Sequence, residues 1–234
     1  MMKEFFVYDG KPSTDFNTFL ANSNFFAAAA EDVTRESVPG RNGDIFISNN
    51  RYQNFALKTV VYIPDNVQKY IDGLKGFLLS RGKYCRYEES YYPNYFRMAR
   101  FLGPFEPDPI NKWQAGVELE FDCKPQKYLK QGELVQEYTS SSIIYNPTYY
   151  NAQPFIRVYG YGTVEIGDYA ITIARTTYPY IDIDCERMDA YYGTVNCNNL
   201  ISVSEFPVLI QGNNDIVLSN RINKIELTPR WWTV

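Results

Sequence analysis

A two-residue alternation in the middle of the chain sets the strongest limit on its fold. From Val117 to Cys123, within Gly-Val-Glu-Leu-Glu-Phe-Asp-Cys, every second side chain is apolar and those between are carboxylates. Successive side chains of a β-strand point to opposite faces of the sheet, so this run places one face against a core and the other in water. The same period recurs in segments bounded by Gly, Pro, Asn and Asp, namely 44–48, 55–63, 154–158, 163–173, 180–185, 208–211 and 224–228. The sequence therefore predicts a mainly β fold.

One segment has helical spacing instead. Its apolar residues recur every three to four positions, at Val67, Ile71, Leu74 and Leu78. The pattern predicts a single α-helix over about residues 65–81, with Asp65 as the N-cap and Gly82 as the stop.

A shift in composition divides the chain into two blocks. Residues 129–142 are polar and lack alternation, and the turn sequence Asn146-Pro147-Thr148 follows them. We expect an N-terminal β-domain with one helix over residues 1–135. Residues 136–234 have the size and the short strands of a β-sandwich.

A polar excursion over about residues 21–50 differs from both blocks. It contains a dense turn sequence of Gly, Pro and Asn-Gly, which is Val38, Pro39, Gly40, Arg41, Asn42, Gly43 and Asp44. Such a stretch joins two extended segments, and long excursions of this kind often bind other molecules. We interpret it as an extended arm.

Composition removes most catalytic chemistry. The chain has no histidine, which excludes Ser-His-Asp and Cys-His relays and imidazole-ligated metals. No phosphate-binding glycine motif is present, so we assign no catalytic residue, no cofactor and no metal ligand. A net charge of −4 argues against broad affinity for phosphate backbones. The widely spaced Cys85, Cys123, Cys185 and Cys197 are interpreted as small buried hydrophobic residues.

Paired carboxylates remain as candidates for acid–base chemistry. The pairs are Glu88-Glu89, Glu118/Glu120 and Asp182/Asp184. Residues two apart on a strand share a face and lie too close together to straddle a glycosidic bond. We interpret them as solvated strand faces and expect no enzyme, with a carboxylate-based glycoside hydrolase as a remote alternative.

Aromatic residues are abundant, with 21 Tyr, 15 Phe and 3 Trp. Tyrosine suits strands, cores and subunit interfaces, and it also stacks on sugars. Two pairs are candidates for contact with a glycan or a partner protein, namely Tyr149-Tyr150 and Tyr191-Tyr192.

Several segments that contain turn residues, taken in order along the chain, resemble the distal tail proteins (Dit) of long-tailed, siphovirus-type bacteriophages that infect Gram-positive bacteria. These segments are Val38–Asp44, Phe121-Asp-Cys-Lys-Pro125, Asn146-Pro-Thr148 with Pro154–Gly160, Phe206–Asn213, and Pro229-Arg-Trp-Trp232. The resemblance implies an N-terminal domain related to tail-tube proteins and a C-terminal galectin-like β-sandwich. It also implies that the arm reaches a neighbouring subunit.

The resemblance further implies a structural role in the virion, at the tip of the phage tail. The N-terminal domains are expected to form a homohexameric ring that joins the major tail tube protein to a tail-tip or tail-associated lysin-like protein and to receptor-binding proteins. DNA passes through the lumen without specific binding, and we expect carboxylates to outnumber bases on its wall. We expect synthesis in the host cytoplasm, no secretion and no membrane partner. The alternative is a carbohydrate-binding module for host cell-wall glycans.

Overall fold

The computed structural model describes residues 3–234, and these fall into two structural units. The first unit runs to Lys127 and also includes Val234, and the second spans Tyr128–Thr233. The change of unit therefore comes eight residues before the position between residues 135 and 136 that composition suggested. Strands predominate in both units, so the predicted mainly β fold is confirmed.

The first unit contains ten strands, one α-helix and a short 3₁₀-helix at Ser13–Phe16. The strands are β1 (Phe6–Tyr8), β2 (Lys11–Pro12), β3 (Phe19–Ser23), β4 (Glu31–Ser37), β5 (Asp44–Tyr52), β6 (Phe55–Ile63), β7 (Cys85–Glu89), β8 (Tyr95–Phe101), β9 (Pro107–Pro109) and β10 (Ala115–Leu129). The main sheet has the order β2-β1-β7-β8-β10-β6-β3, with β9 paired to the start of β10, and β4 and β5 form a separate two-stranded sheet.

The alternation seen in the sequence determines which face of the main sheet is covered. In the antiparallel pair of β6 and β10, Val117 lies opposite Val61 and Phe121 opposite Leu57, and all four are buried. Glu118 and Glu120 point to the other face, which is exposed. The core therefore lies on one side of the sheet, as alternation requires.

The helix α1 (Val67–Leu79) packs Leu74, Phe77 and Leu78 into this core. It begins and ends within the predicted range of 65–81. The N-cap prediction is wrong, because Asn66 occupies that position with a left-handed φ of 56° and Asp65 instead accepts the Asn66 N–H. The helix also ends before Gly82, at the C-cap residue Ser80.

The second unit consists of two antiparallel sheets and two 3₁₀-helices, Lys130–Glu133 and Asn198–Leu200. One sheet has the order β11-β21-β13-β16-β17-β18 and the other β12-β20-β14-β15-β19. The strands of these sheets are β11 (Gln136–Tyr138), β12 (Ser142–Asn146), β13 (Phe155–Gly160), β14 (Gly162–Ile166), β15 (Tyr169–Ile173), β16 (Ile181–Asp184), β17 (Asp189–Tyr192), β18 (Val195–Asn196), β19 (Ile201–Val203), β20 (Gly212–Leu218) and β21 (Ile222–Thr228), and a last short strand, β22 (Trp232–Thr233), lies outside both sheets.

Aliphatic side chains from both sheets of the second unit form one core. Ile156 and Ile183 come from the six-stranded sheet, and Val164 and Ile171 come from the five-stranded sheet. All four side chains are fully buried. Two sheets that share one core in this way form a β-sandwich.

The four cysteines are buried free thiols, as predicted from their spacing. Burial raises the pKa of Cys123 and that of Cys185 to about 12. Both thiols are therefore protonated at neutral pH and act as small apolar side chains.

Candidate assembly interface

The predicted arm contains a β-hairpin. Strands β4 and β5 pair only with each other, with Arg35 opposite Phe46 and Thr34 opposite Ile47. The seven residues singled out in the sequence lie at its tip, where Val38 to Gly43 form the connection and Asp44 begins β5. Gly40 and Gly43 adopt φ values of 81° and 85°, which side chains other than glycine rarely accept, so the turn chemistry fits the hairpin.

Large apolar side chains are exposed on both faces of this hairpin. Phe46 and Ile47 are adjacent and therefore point to opposite faces, and they are 60% and 47% exposed. An isolated two-stranded hairpin is marginally stable in water, and exposed apolar patches mark interaction surfaces. The hairpin therefore has the character of a surface that a partner covers.

Polar contacts stabilise the base of the hairpin. The Arg51 guanidinium donates to Asp32 at 2.5 Å, and Gln53 donates to the same carboxylate at 3.2 Å. These hydrogen bonds lower the pKa of Asp32 below its ordinary value. Asp32 therefore stays ionised at neutral pH and holds the ends of the hairpin together.

The segment that leads into the hairpin is anchored by a buried arginine. Arg97, on the core-facing side of β8, donates through its Nε to the Phe25 carbonyl at 2.9 Å and through a terminal nitrogen to the Ala27 carbonyl at 2.8 Å. A third hydrogen bond reaches the Pro125 carbonyl at 3.3 Å. The guanidinium also lies 4.6 Å from the ring centroid of Phe55. One fully buried side chain thus fixes the path of the chain into the arm.

The buried carboxylate of Glu89 binds the same segment two residues earlier, at Ser23. Ser23 donates to Glu89 Oε1 at 2.5 Å, and the Tyr87 hydroxyl donates to the same oxygen at 2.8 Å. The other oxygen, Oε2, has no hydrogen-bond partner. Burial raises the pKa of Glu89, and it lowers that of Arg97 to about 10. Desolvation therefore disfavours both charges, although their mutual attraction opposes it.

Aromatic rings surround this anchor and reach the surface. Phe26 is 46% exposed and contacts the ring of Tyr92 edge-on at 4.1 Å, and Tyr91 lies beside Tyr92 at 6.1 Å. Beneath them the ammonium of Lys127 lies 4.2 Å from the centroid of Phe26. Burial lowers the pKa of Lys127 to about 8. We call Phe26, Tyr91 and Tyr92 the aromatic patch.

The sequence interpretation of the acidic pairs needs a correction. Glu118 and Glu120 lie on an exposed strand face, as predicted, and Lys58 lies between 3.5 and 3.9 Å from them. Asp182 and Asp184 are buried instead, so the interpretation as a solvated face is wrong for them. It is also wrong for the buried Glu89. Alternation shows which residues share a face, but it does not show whether that face is covered.

Each buried aspartate of the second unit is neutralised by a bidentate arginine contact, and Asp184 also lies 3.7 Å from the exposed Arg187. Arg157 forms a two-pronged contact with Asp182, at 2.7 and 3.1 Å, and Arg230 forms the same contact with Asp184, again at 2.7 and 3.1 Å. Hydrogen bonding to Asp182 raises the pKa of Arg157, and the contact with Arg230 lowers the pKa of Asp184 despite its burial. These carboxylates are structural ion pairs rather than an acid–base pair.

The four candidate tyrosines lie in different surroundings. Tyr149 is 83% exposed, whereas Tyr150 packs on the ring of Trp232 at 4.6 Å. Tyr191 lies opposite Asp182, and Tyr192 stacks on Tyr178 at 4.8 Å. Tyr149 therefore presents a free ring, while Tyr150 and Tyr192 are partly occupied by packing.

Residues 3–234 contain no group of three or more cysteine, aspartate or glutamate side chains arranged to hold a metal ion. No helix in the same range has the length and apolar character needed to cross a lipid bilayer.

Comparison with known proteins gives a structural match and no sequence match. No protein-family model matches the chain, and no curated protein matches it. Among solved structures, the chain is similar to the Dit protein (gp 19.1) of phage SPP1, with a TM-score of 0.74 over 100% of both chains at 14% identity. That protein is described as a paradigm of the hub adsorption apparatus in phages that infect Gram-positive bacteria. The predicted resemblance is thus confirmed at the level of structure, and the chain has the fold of a phage distal tail protein.

Proposed function

We propose that this chain is a structural distal tail protein that forms a homohexameric ring at the end of a phage tail tube. The observation that carries the proposal is the similarity to SPP1 Dit over the full length of both chains. A likeness confined to one unit would support only a shared domain, since one fold hosts many functions. Here both units, in the same order, have a counterpart in a single tail hub protein.

The hairpin is the element through which neighbouring subunits engage. A ring requires a heterologous contact, in which one surface of each subunit meets a different surface of the next. The β4–β5 hairpin offers the first surface, because Phe46 and Ile47 are exposed on its two faces. Burying two such side chains contributes about 1.5–3 kcal/mol each. Val38 to Asp44, at the tip of the hairpin, are then part of the contact between neighbouring subunits.

The ring links the tail tube to the tip. In this arrangement it binds the major tail tube protein on one side and a tail-tip or lysin-like protein, together with receptor-binding proteins, on the other. Its N-terminal units are tail-tube-like and its C-terminal sandwich is galectin-like. The protein acts by assembly and catalyses no reaction, and it resides in the virion.

A channel for DNA requires a lumen wall that does not attract DNA. The exposed face of β6, β7, β8 and β10 carries equal numbers of acids and bases, namely Glu88, Glu118, Glu120 and Asp122 against Lys58, Arg86, Arg100 and Lys124. An acidic lumen wall that repels DNA would therefore have to come from another surface of the ring.

Oligomeric state tests the proposal directly. Mass photometry and negative-stain electron microscopy of the purified chain, and of tail extracts, are expected to reveal six-fold rings. A protein that stays monomeric at high concentration and in tail extracts would refute it.

Variants separate the role of the hairpin from that of folding. Replacement of Phe46 and Ile47 by alanine, or deletion of Arg41 to Gly43, is expected to abolish rings while the far-UV circular dichroism of the monomer is retained. The matched control replaces Ile143 and Tyr145, two exposed residues of β12 in the second unit, and is expected to leave rings intact. Equal loss of ring and fold in the hairpin variants would count against the arm.

Binding of host cell-wall glycans is the second candidate function. The observation that favours it is Tyr149, whose exposed ring is available for stacking on a sugar. Retention of the chain on purified cell wall that is lost in Tyr149→Ala, and lost less in Tyr150, Tyr191 or Tyr192 variants, would support this function. No retention by the native chain would remove it.

A further inference from the structure

Two arginines of the second unit share one tyrosine ring. The guanidinium carbons of Arg221 and Arg175 lie 5.3 and 5.8 Å from the ring centroid of Tyr161. Both arginines are exposed, and neither has an ion pair within the described part of the chain. Two unpaired positive charges beside one ring would both attract an anion that lies near the ring.

The backbone around Tyr161 is fixed by its two neighbouring glycines. Gly160 and Gly162 have φ values of 107° and 126°, a region that other residues rarely adopt. A β-carbon on Gly160 would meet the Arg221 carbonyl oxygen at 2.3 Å, so the chain passes too closely for any side chain there. The Tyr161 N–H donates to that same carbonyl at 3.2 Å. The backbone of Tyr161 is therefore held beside the turn that carries Arg221.

Both arginines come from turns that are tied to this point. Ile222 donates its N–H to the Ser219 carbonyl at 2.9 Å, which closes the turn containing Arg221. Arg175 follows the end of β15, where Ile173 pairs with Gly162. The site is thus assembled from three separate parts of the chain that meet at one end of the sandwich.

We propose that Arg175, Arg221 and Tyr161 form a binding site for a phosphate group. Elsewhere in this protein one guanidinium pairs bidentately with one carboxylate, as Arg157 does with Asp182. Two unpaired guanidiniums beside one ring favour an anion with more charge and more acceptor oxygens than one carboxylate has. Phosphate offers both, and guanidinium groups bind it bidentately. The ring supports both guanidiniums through cation–π contact and so orients them.

Chemical protection of arginine tests the site in the full-length protein. Phenylglyoxal modifies exposed arginines, and mass spectrometry follows each position. Inorganic phosphate is expected to slow the modification of Arg175 and Arg221, but not that of Arg187, which is 76% exposed in the same unit. Acetate at the same ionic strength is expected to protect none of them.

Variants then test whether the three residues act together. In Arg221→Gln, the phosphate concentration that protects Arg175 is expected to rise about tenfold, because a charge-assisted contact is lost. Tyr161→Leu is expected to have a similar effect and Tyr161→Phe little effect, since only the former removes the ring. Arg187→Gln is the control and leaves the protection of Arg175 unchanged.

The opposite results overturn the proposal. Unchanged modification rates with phosphate, or equal protection of Arg187, would show that no site exists. Equal protection by acetate would show a carboxylate site, which points to an acidic peptide instead. Unchanged protection of Arg175 in Arg221→Gln would show that the two arginines act separately.

Discussion

Replacement of Arg97 by methionine tests whether the buried anchor stabilises the first unit. Methionine keeps an unbranched apolar stem of similar length and removes the guanidinium. The change leaves the carbonyl oxygens of Phe25, Ala27 and Pro125 without their donor and removes the positive charge of Arg97, which attracts the Glu89 carboxylate. Loss of one partner from a buried polar network costs about 3–5 kcal/mol. We therefore expect Arg97→Met to destabilise the first unit by about that amount.

Urea denaturation measures this effect, with a transition assigned to each unit. Trp113 reports on the first unit, whereas Trp231 and Trp232 report on the second, so a Trp113→Phe background identifies the transitions. Arg81→Met is the matched control, because the Arg81–Asp9 ion pair is partly exposed and contributes about 1 kcal/mol or less. A loss of under about 1 kcal/mol in Arg97→Met would refute the reasoning.

Further predictions concern ionisation and backbone strain. Because burial raises the pKa of Glu89, the folded unit holds the Glu89 proton more tightly than the unfolded chain does. The free energy of unfolding is therefore expected to fall as the pH rises from the unfolded to the folded pKa of Glu89. Glu89→Gln is expected to flatten this decline in urea denaturation measured from pH 4 to 8. Lys127 is expected to have the opposite effect on the pH dependence of stability, because burial lowers its pKa to about 8. The free energy of unfolding then rises between about pH 8 and pH 10, and Lys127→Met is expected to abolish this rise. Gly160→Ala is expected to cost at least about 2 kcal/mol, because the new β-carbon would meet a backbone oxygen at 2.3 Å in a strained conformation. Its control Gly193→Ala, with φ 59° and open space around it, is expected to cost about 1 kcal/mol. A fall of equal size in both glycine variants, measured by thermal unfolding, would contradict the steric argument.

The sequence predicts the strands and the helix because their signals are local. The alternation of β10 and the spacing of Leu74 and Leu78 depend only on the geometry of one element. The hairpin turn at Gly40 and Gly43 is local as well. Its exposure on both faces is a tertiary property, and the sequence indicates it only through its polar composition.

The buried charges could not be predicted, because they depend on which strands become neighbours. Arg97 and Glu89 occupy core-facing positions of β8 and β7, and the one available signal was a charge at a position where alternation calls for an apolar side chain. Asp182 and Asp184 alternate with isoleucines, as a solvated strand face does. Arg157, the partner of Asp182, lies 25 residues earlier in the chain, and Arg230, the partner of Asp184, lies 46 residues later, so both are beyond the reach of any local pattern.

The anchor also relates the fold of the first unit to its assembly. Phe25 is fully buried, whereas Phe26, the next residue, belongs to the exposed aromatic patch, so the chain leaves the core within one residue. Arg97 binds the carbonyl groups on either side of that point, at Phe25 and Ala27. Loss of the guanidinium therefore frees both the route into the hairpin and the position of the patch. We expect Arg97→Lys, which keeps one charge but not the three hydrogen bonds, to weaken ring formation more than it weakens the fold, as measured by mass photometry alongside urea denaturation. Rings of native stability in a destabilised Arg97→Lys protein would show that the arm is oriented by its partner and not by its own core.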